Sequence, residues 1–176
     1  MGNEVQYDIR HTHDIFTKEI GGTYIGTKLN GSGIGAQTLK AKWSEIGSKI
    51  TDKDMYVQYS SGHGSPTSLA FGVSYNEIRD NALSYPAKEL ILFIMACNSG
   101  GLVDSFNKKK TVWQDWGAAG RTLMILASSK TSENSSTGPG TDLEEPGGPD
   151  GSAGSAFGHA LWKALIGHAD GFVDGV

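Results

Sequence analysis

Two continuous apolar runs constrain the fold most strongly. The first, ELILFIMAC, spans residues 89–97, and the second, TLMILAS, spans residues 122–128. Neither run alternates apolar with polar residues, so each is typical of a strand covered on both faces, as in a parallel sheet. At 176 residues the chain is about the size of one ordinary domain, and we expect a single domain over residues 1–176.

Segments with helical spacing alternate with the predicted strands. The predicted order is a helix through residues 9–20, a second helix through 39–50, a strand at 54–60, a helix that opens on a Ser74/Glu77 capping box, and a last helix at 157–165. A loop containing NKKK is expected between the two apolar runs. This alternation predicts an α/β fold with a mostly parallel central sheet and helices on both faces.

Composition excludes several classes of function. The net charge is −4 with no basic stripe, so nucleic acid is not an expected partner. No apolar run approaches the roughly 18 residues of a membrane helix, so we expect no membrane partner. The single cysteine excludes an internal disulfide framework and a multi-cysteine metal site, and it favours a reducing compartment such as the cytoplasm. No secretion signal is visible at the start of the sequence.

Two polar motifs follow predicted strands. SGHG spans residues 61–64, and ACNSGG spans residues 96–101. Loops at the carboxyl ends of parallel strands gather ligand sites, so His63 and Cys97 are expected to project into one cleft. A free thiol has a pKa of about 8.5. A neighbouring base would take its proton and so make the sulfur a better nucleophile. The flanking glycines are expected to leave room for a substrate backbone and to supply amide donors.

These motifs resemble those of the caspase-like cysteine peptidases, the group that includes caspases, metacaspases and legumain. SSGHGS (60–65) and MACNSGG (95–101) carry the resemblance. TLMILASSKTSENS (122–135) is similar to the next core strand with its substrate-side loop, and GSAFGHALWKAL (154–165) is similar to the following helix. The resemblance implies a three-layer α/β/α sandwich. The family's first core strand is expected to be missing from this chain, and we expect the chain to be a fragment of a longer protein.

The resemblance also implies the chemistry of a cysteine endopeptidase. Cys97 would be the nucleophile, His63 would protonate the leaving amine, and the amides of Gly64 and Cys97 would form the oxyanion hole. The partner is then a peptide or protein substrate, no cofactor or metal ion is required, and no residue is assigned to the calcium that some relatives use. The long loop at 128–154, expected to be flexible, would line the substrate site.

Many relatives carry an acid two positions before the nucleophile, where it holds a basic P1 side chain, whereas this sequence has Met95. A weak preference for basic P1 residues is expected, with acidity supplied by the later loop. The candidate substrate contacts are Met95, Ser128, Glu133 and Asp142. The lysines Lys108, Lys109 and Lys110 are a candidate site of autoprocessing.

Two alternatives stay open at this point. One is a caspase-like regulatory or interaction module with little hydrolysis, which the missing strand and Met95 would suit. The other is a nucleotide or small-molecule binding domain that uses its glycine-rich loops. NGSGIG (30–35) precedes a helix as such a loop would, but it has neither a strand before it nor a phosphate-binding lysine.

Overall fold

A computed structural model describes residues 3–19, 23, 29, 34–135 and 155–165 of the chain. The chain divides into two compact units. One is Gly33–Ser135, and the other comprises Met1–Ser32 together with Ser136–Val176. Both strand-end motifs lie in the unit Gly33–Ser135.

A parallel sheet forms the centre of the unit Gly33–Ser135. The strands in chain order are β1 (Met55–Ser61), β2 (Ser68–Leu69), β3 (Val73–Ser74), β4 (Glu89–Met95) and β5 (Thr122–Ala127). Strands β1, β4 and β5 pair in parallel in the order β1-β4-β5, while β2 and β3 form a short antiparallel pair. The prediction of an α/β fold with a parallel sheet is therefore confirmed, with both apolar runs as strands. The expectation that both strands are covered on two faces is wrong for β5, where Met124 is 40% exposed.

Six α-helices are described. They are α1 (Asn3–Asp14), which continues into a π-helix at Ile15–Glu19, α2 (Ala36–Gly47), α3 (Tyr75–Ser84), α4 (Gly100–Asn107), α5 (Lys110–Ala118) and α6 (Ala156–Leu165). All four predicted helices are present. Because α1 begins at Asn3, the described residues contain no strand ahead of it.

The stretch between β4 and β5 corrects the expectation of a loop there. Helices α4 and α5 occupy most of it, and Lys108 and Lys109 form the junction between them. The glycines at the start of α4 and the run of lysines obscured the helical pattern. Leu102 and Phe106, four residues apart, are nevertheless both buried on one face of α4.

One face of β4 carries the core of this unit. Leu90, Leu92 and Ile94 have no exposed surface. Full burial of each such side chain stabilises the fold by about 1.5–3 kcal/mol. The same hydrophobic cluster includes Trp43 of α2, Ile78 of α3, Leu102 and Phe106 of α4, and Trp116 of α5. Helices α2 to α5 therefore all contribute side chains to the core around the central strand.

The capping box predicted at the start of α3 is confirmed. Ser74 Oγ accepts a hydrogen bond from the Glu77 amide at 3.2 Å, and Glu77 Oε2 accepts one from the Ser74 amide at 2.8 Å. Glu77 also accepts a hydrogen bond from Lys40 Nζ of α2 at 2.5 Å. This one carboxylate therefore caps α3 and links it to α2.

In the other unit, Asp8 of α1 holds the start of α6. Ser155 donates to the Asp8 carboxylate from its amide at 3.0 Å and from its hydroxyl at 2.6 Å. Ser155 Oγ in turn accepts from the Gly158 amide at 2.8 Å, which caps the first turn of α6. None of the helices in the described part of the chain has the length and apolar character needed to cross a membrane.

Candidate active site

The register of the sheet brings the two motifs to one edge. Ser61 at the end of β1 pairs with Met95 at the end of β4, and the Gly62 amide donates to the Met95 carbonyl at 3.0 Å. His63 and Cys97 each lie two residues beyond that last pair. His63 is exposed and Cys97 is partly buried. The two residues therefore leave neighbouring strand ends at the same edge, as the sequence predicts.

Gly64 marks a close contact between the two motif loops. A β-carbon added at Gly64 would lie 2.5 Å from the Cys97 carbonyl oxygen and 2.9 Å from the Ala96 side chain. A side chain at Gly101 would likewise overlap the Pro66 carbonyl group. A β-carbon added at Gly100 would lie 2.6 Å from the Thr131 amide nitrogen. The expectation that the motif glycines leave room for a substrate is therefore wrong for Gly64, Gly100 and Gly101, because protein backbone already fills the space beside them.

Some of the backbone amides around Cys97 donate hydrogen bonds within the protein, and others do not. The amides of Ala96, Asn98 and Ser99 donate to Ser128 Oγ, the Glu133 carbonyl and Ser129 Oγ at 3.1, 2.7 and 3.1 Å. Among the described residues, the amides of Cys97 and Gly64 have no hydrogen-bond acceptor. These are the two donors expected for an oxyanion hole.

The loop after β5 supports the loop that carries Cys97. We call Ser99, Ser128, Ser129 and Ser135 the serine cluster. Ser128 Oγ accepts from Ser135 Oγ at 2.8 Å as well as from the Ala96 amide, and Ser129 Oγ donates to the Ala96 carbonyl at 3.0 Å. Ser128, a predicted substrate contact, is thus engaged in hydrogen bonds that fix the residue before Cys97.

Asn98 turns the chain from β4 towards α4. Its φ of 57° lies in the left-handed region, which asparagine tolerates better than most residues. Its side-chain amide donates to the Thr131 carbonyl at 2.9 Å, and its backbone amide donates to the Glu133 carbonyl. The loop after β5 therefore holds this turn, and with it Cys97, in place.

Other predicted substrate contacts lie around this loop. The Met95 side chain is 2% exposed, and its sulfur accepts a hydrogen bond from Ser135 Oγ at 3.6 Å. Glu133 is exposed and pairs with Lys130 at 3.1 Å, and that hydrogen-bonded ammonium lowers the pKa of the Glu133 carboxyl. Asp142 and the loop from residue 136 to 154 lie outside the described residues.

The site also includes Tyr75, which the sequence analysis did not single out. Its side chain is 1% exposed, and its hydroxyl has no hydrogen-bond partner among the described residues. Burial, together with the charge of Cys97, raises the pKa of Tyr75 to about 12. Tyr75 is the first residue of α3, an ordinary position for an aromatic side chain, so no sequence signal marked it.

The three consecutive lysines do not belong to the loops that carry His63 and Cys97. Lys108, Lys109 and Lys110 are exposed at the junction of α4 and α5, and Lys109 pairs with Asp80 at 3.2 Å. The described ranges contain no group of three His, Cys, Asp or Glu side chains that could hold a metal ion.

Comparisons with known proteins add no assignment to this geometry. The sequence matches no protein-family model, and a search of curated proteins finds no match to it. The residues and geometry of this site are therefore the basis for a proposed function.

Proposed function

We propose that the protein is a cysteine endopeptidase that hydrolyses peptide bonds through Cys97 and His63. The proposal includes a caspase-like three-layer α/β/α arrangement and a protein that acts in the cytoplasm. One observation carries it. The register of β1 and β4 brings His63 and Cys97 to one edge of the sheet, where the amides of Gly64 and Cys97 have no acceptor among the described residues.

The chemistry needs one proton donor and one nucleophile. His63 takes the proton of the Cys97 thiol while the sulfur attacks the scissile carbonyl carbon, and the carbonyl oxygen takes up negative charge. The C–N bond then breaks while His63 gives a proton to the leaving amine. Water attacks the resulting thioester, which releases the new carboxyl terminus and restores the thiol. No cofactor enters this sequence of steps.

The free amides suit the charge that develops during attack. Backbone amides directed at an oxyanion typically contribute a factor of about 10²–10³ to the rate. The neighbouring amides of Ala96, Asn98 and Ser99 are all occupied, which leaves Cys97 as the donor of this loop. The Gly64 contact holds the second donor against the same loop.

Substrate preference depends on the acids near the loop after β5. A weak preference for Lys or Arg at P1 would need a carboxylate, and Met95 supplies none. Glu133 is exposed and already pairs with a lysine, Lys130, which a substrate cation could replace. We therefore keep Glu133, with Asp142, as the candidate acids of the subsite.

Peptide cleavage by variants of Cys97 and His63 tests the proposed roles of these two residues. A fluorogenic peptide library, varied at P1, is incubated with wild type, Cys97→Ala and His63→Ala, and fluorescence and the intact mass of each chain are recorded. We expect Cys97→Ala to abolish cleavage and His63→Ala to slow it by about 10²–10⁴, the usual range for general acid–base catalysis. His13→Ala, on α1, is the matched control and should cleave at the wild-type rate.

The alternative is a regulatory or interaction module with little hydrolysis. The observation that favours it is the burial of Met95 at a position where an acid would hold substrate. No cleavage of any library member by wild type would support that alternative, and cleavage that persists in Cys97→Ala would contradict the dyad. A clipped chain at Lys108–Lys110 in wild type alone would support autoprocessing.

A further inference from the structure

The Tyr75 hydroxyl is buried beside both motif loops. Its side chain is 1% exposed, and within the described part of the chain the hydroxyl neither donates nor accepts a hydrogen bond. A buried polar group without a partner costs free energy, and a phenylalanine would avoid that cost at this position. The presence of a hydroxyl at this position is therefore not explained by the stability of the fold.

The two motif glycines bound the space in which Tyr75 lies. A β-carbon added at Gly64 would lie 3.2 Å from Tyr75 Oη, and one added at Gly101 would lie 2.9 Å from Tyr75 Cδ2. That same added carbon at Gly64 would lie 2.5 Å from the Cys97 carbonyl oxygen. The Tyr75 hydroxyl thus lies at the contact between the loop of His63 and the loop of Cys97.

We propose that Tyr75 is a third hydrogen-bond donor of this site and that its Oη–H stabilises the negative charge that forms at the Cys97 sulfur. The inference rests on the proposed function. In the resting thiol there is no charge to stabilise, which accounts for a donor without an acceptor. The resting thiol instead donates to the Ser135 carbonyl at 4.0 Å. A thiolate can no longer donate there, and a turn of the Cys97 side chain towards the Tyr75 hydroxyl would give the charge a donor.

The protonation state of Tyr75 agrees with this role. Burial is the larger cause that raises the pKa of Tyr75, to about 12, and the charge of Cys97 is the second. The hydroxyl therefore keeps its proton at neutral pH and remains a donor. Its position on α3 is fixed, since its own carbonyl accepts a hydrogen bond from Ser105 Oγ at 3.3 Å.

Other titratable groups of the surrounding elements have to be considered in any pH profile. They are His63 after β1, Asp104 on α4, and Lys130 and Glu133 after β5. Asp104 accepts a hydrogen bond from Thr131 at 2.5 Å, and Lys130 pairs with Glu133. His63 is also the proposed proton donor of the site, so its variant belongs in the test.

The test is the rate of Cys97 alkylation by iodoacetamide as a function of pH, together with the melting temperature. Cys97 is the single cysteine, so alkylation reports it alone. Wild type, Tyr75→Phe and His63→Ala are compared on the full chain. The matched control is Tyr85→Phe, because the Tyr85 hydroxyl has partners, donating to the Trp43 carbonyl at 2.8 Å and accepting from Asn81 at 3.0 Å.

We expect Tyr75→Phe to raise the pH midpoint of alkylation by about one unit, and to slow alkylation below that midpoint by about tenfold, as a lost charge-assisted hydrogen bond would. Its melting temperature should equal or exceed that of wild type. Tyr85→Phe should show the reverse, with a lower melting temperature and an unchanged midpoint.

An unchanged midpoint in a folded Tyr75→Phe protein would overturn the inference. Alkylation needs only the thiol, so this result is independent of peptide cleavage. Failure of the proposed function would appear instead as no cleavage by wild type, or as cleavage that survives Cys97→Ala.

Discussion

At the scale of single residues, Gly64 lies where the loop of His63 meets the loop of Cys97. It follows His63 in the chain, and an added β-carbon there would lie 2.5 Å from the Cys97 carbonyl oxygen. Within the described part of the chain, its amide is one of the two in these loops without a hydrogen-bond acceptor. A methyl group there could fit only if one of the two loops moved. Movement of either loop would change the distance between the nucleophile and its proposed proton donor.

Gly64→Ala tests this contact. We expect cleavage to fall by about 100-fold, since displacement of about 1 Å has that effect on reacting groups. Overpacking should also lower the free energy of unfolding by about 1–3 kcal/mol. The measurements are cleavage rate and urea denaturation. Gly117→Ala is the control, because nothing lies within 4 Å of an added β-carbon there and alanine is the better helix former in α5.

If Gly64→Ala cleaves as fast as wild type, the loops do not need this contact and Gly64 has no place in the site.

The residues of the candidate site differ in how far the sequence predicts them. The position of His63 and Cys97 at one edge of the sheet could be predicted because reactive side chains between glycines stand out after apolar strands. Tyr75 could not, because its significance comes from a missing hydrogen-bond partner, which only three-dimensional structure displays.

At the scale of elements, the start of α3 is fixed by charge as well as by capping. Hydrogen bonds from Lys40 and from Ser74 lower the pKa of Glu77 to about 2, from its usual 4.5. A carboxyl whose pKa is lowered in the folded state stabilises the fold above its unfolded pKa. That stabilisation is lost as the pH falls from about 4.5 towards 2.

Glu77→Gln therefore has a pH-dependent effect. The glutamine can still cap α3 but cannot form the ion pair with Lys40. We expect the variant to be less stable than wild type at pH 7 and to approach wild-type stability near pH 2, as measured by urea denaturation. Ser74→Ala is the comparison, because it removes the acceptor of the Glu77 amide, which does not titrate. Its loss of about 1 kcal/mol at neutral pH should therefore persist near pH 2. An equal difference between Glu77→Gln and wild type at both pH values would contradict the lowered pKa.

Some helices of this protein can be predicted from their sequences, and others cannot. The cap of α3 could be predicted because the serine and glutamate at its start act within one turn. Helices α4 and α5 were expected as a loop, since two glycines open α4 and charged residues surround the junction. Those glycines are explained by neighbours far away in the chain. A β-carbon at Gly100 would meet the Thr131 amide, and one at Gly101 would meet Pro66.

At the scale of the whole molecule, the parallel sheet accounts for the position of the candidate site. The alternation of apolar runs with helices was enough to predict that sheet, because a strand covered on both faces has a distinctive composition. The support behind Cys97 could not be predicted, since it depends on serine hydroxyls at residues 99, 128, 129 and 135. Serines of this kind in a sequence look no different from those of an exposed loop.

The measurement that tests the central claim most directly is covalent capture by a peptidyl vinyl sulfone with lysine at P1. Intact mass and peptide mapping are recorded for wild type, Cys97→Ala and His63→Ala. The account predicts one adduct on wild type, located at Cys97, none on Cys97→Ala, and capture slowed by at least about 100-fold in His63→Ala. An adduct on Cys97→Ala, or an unchanged rate in His63→Ala, would contradict it.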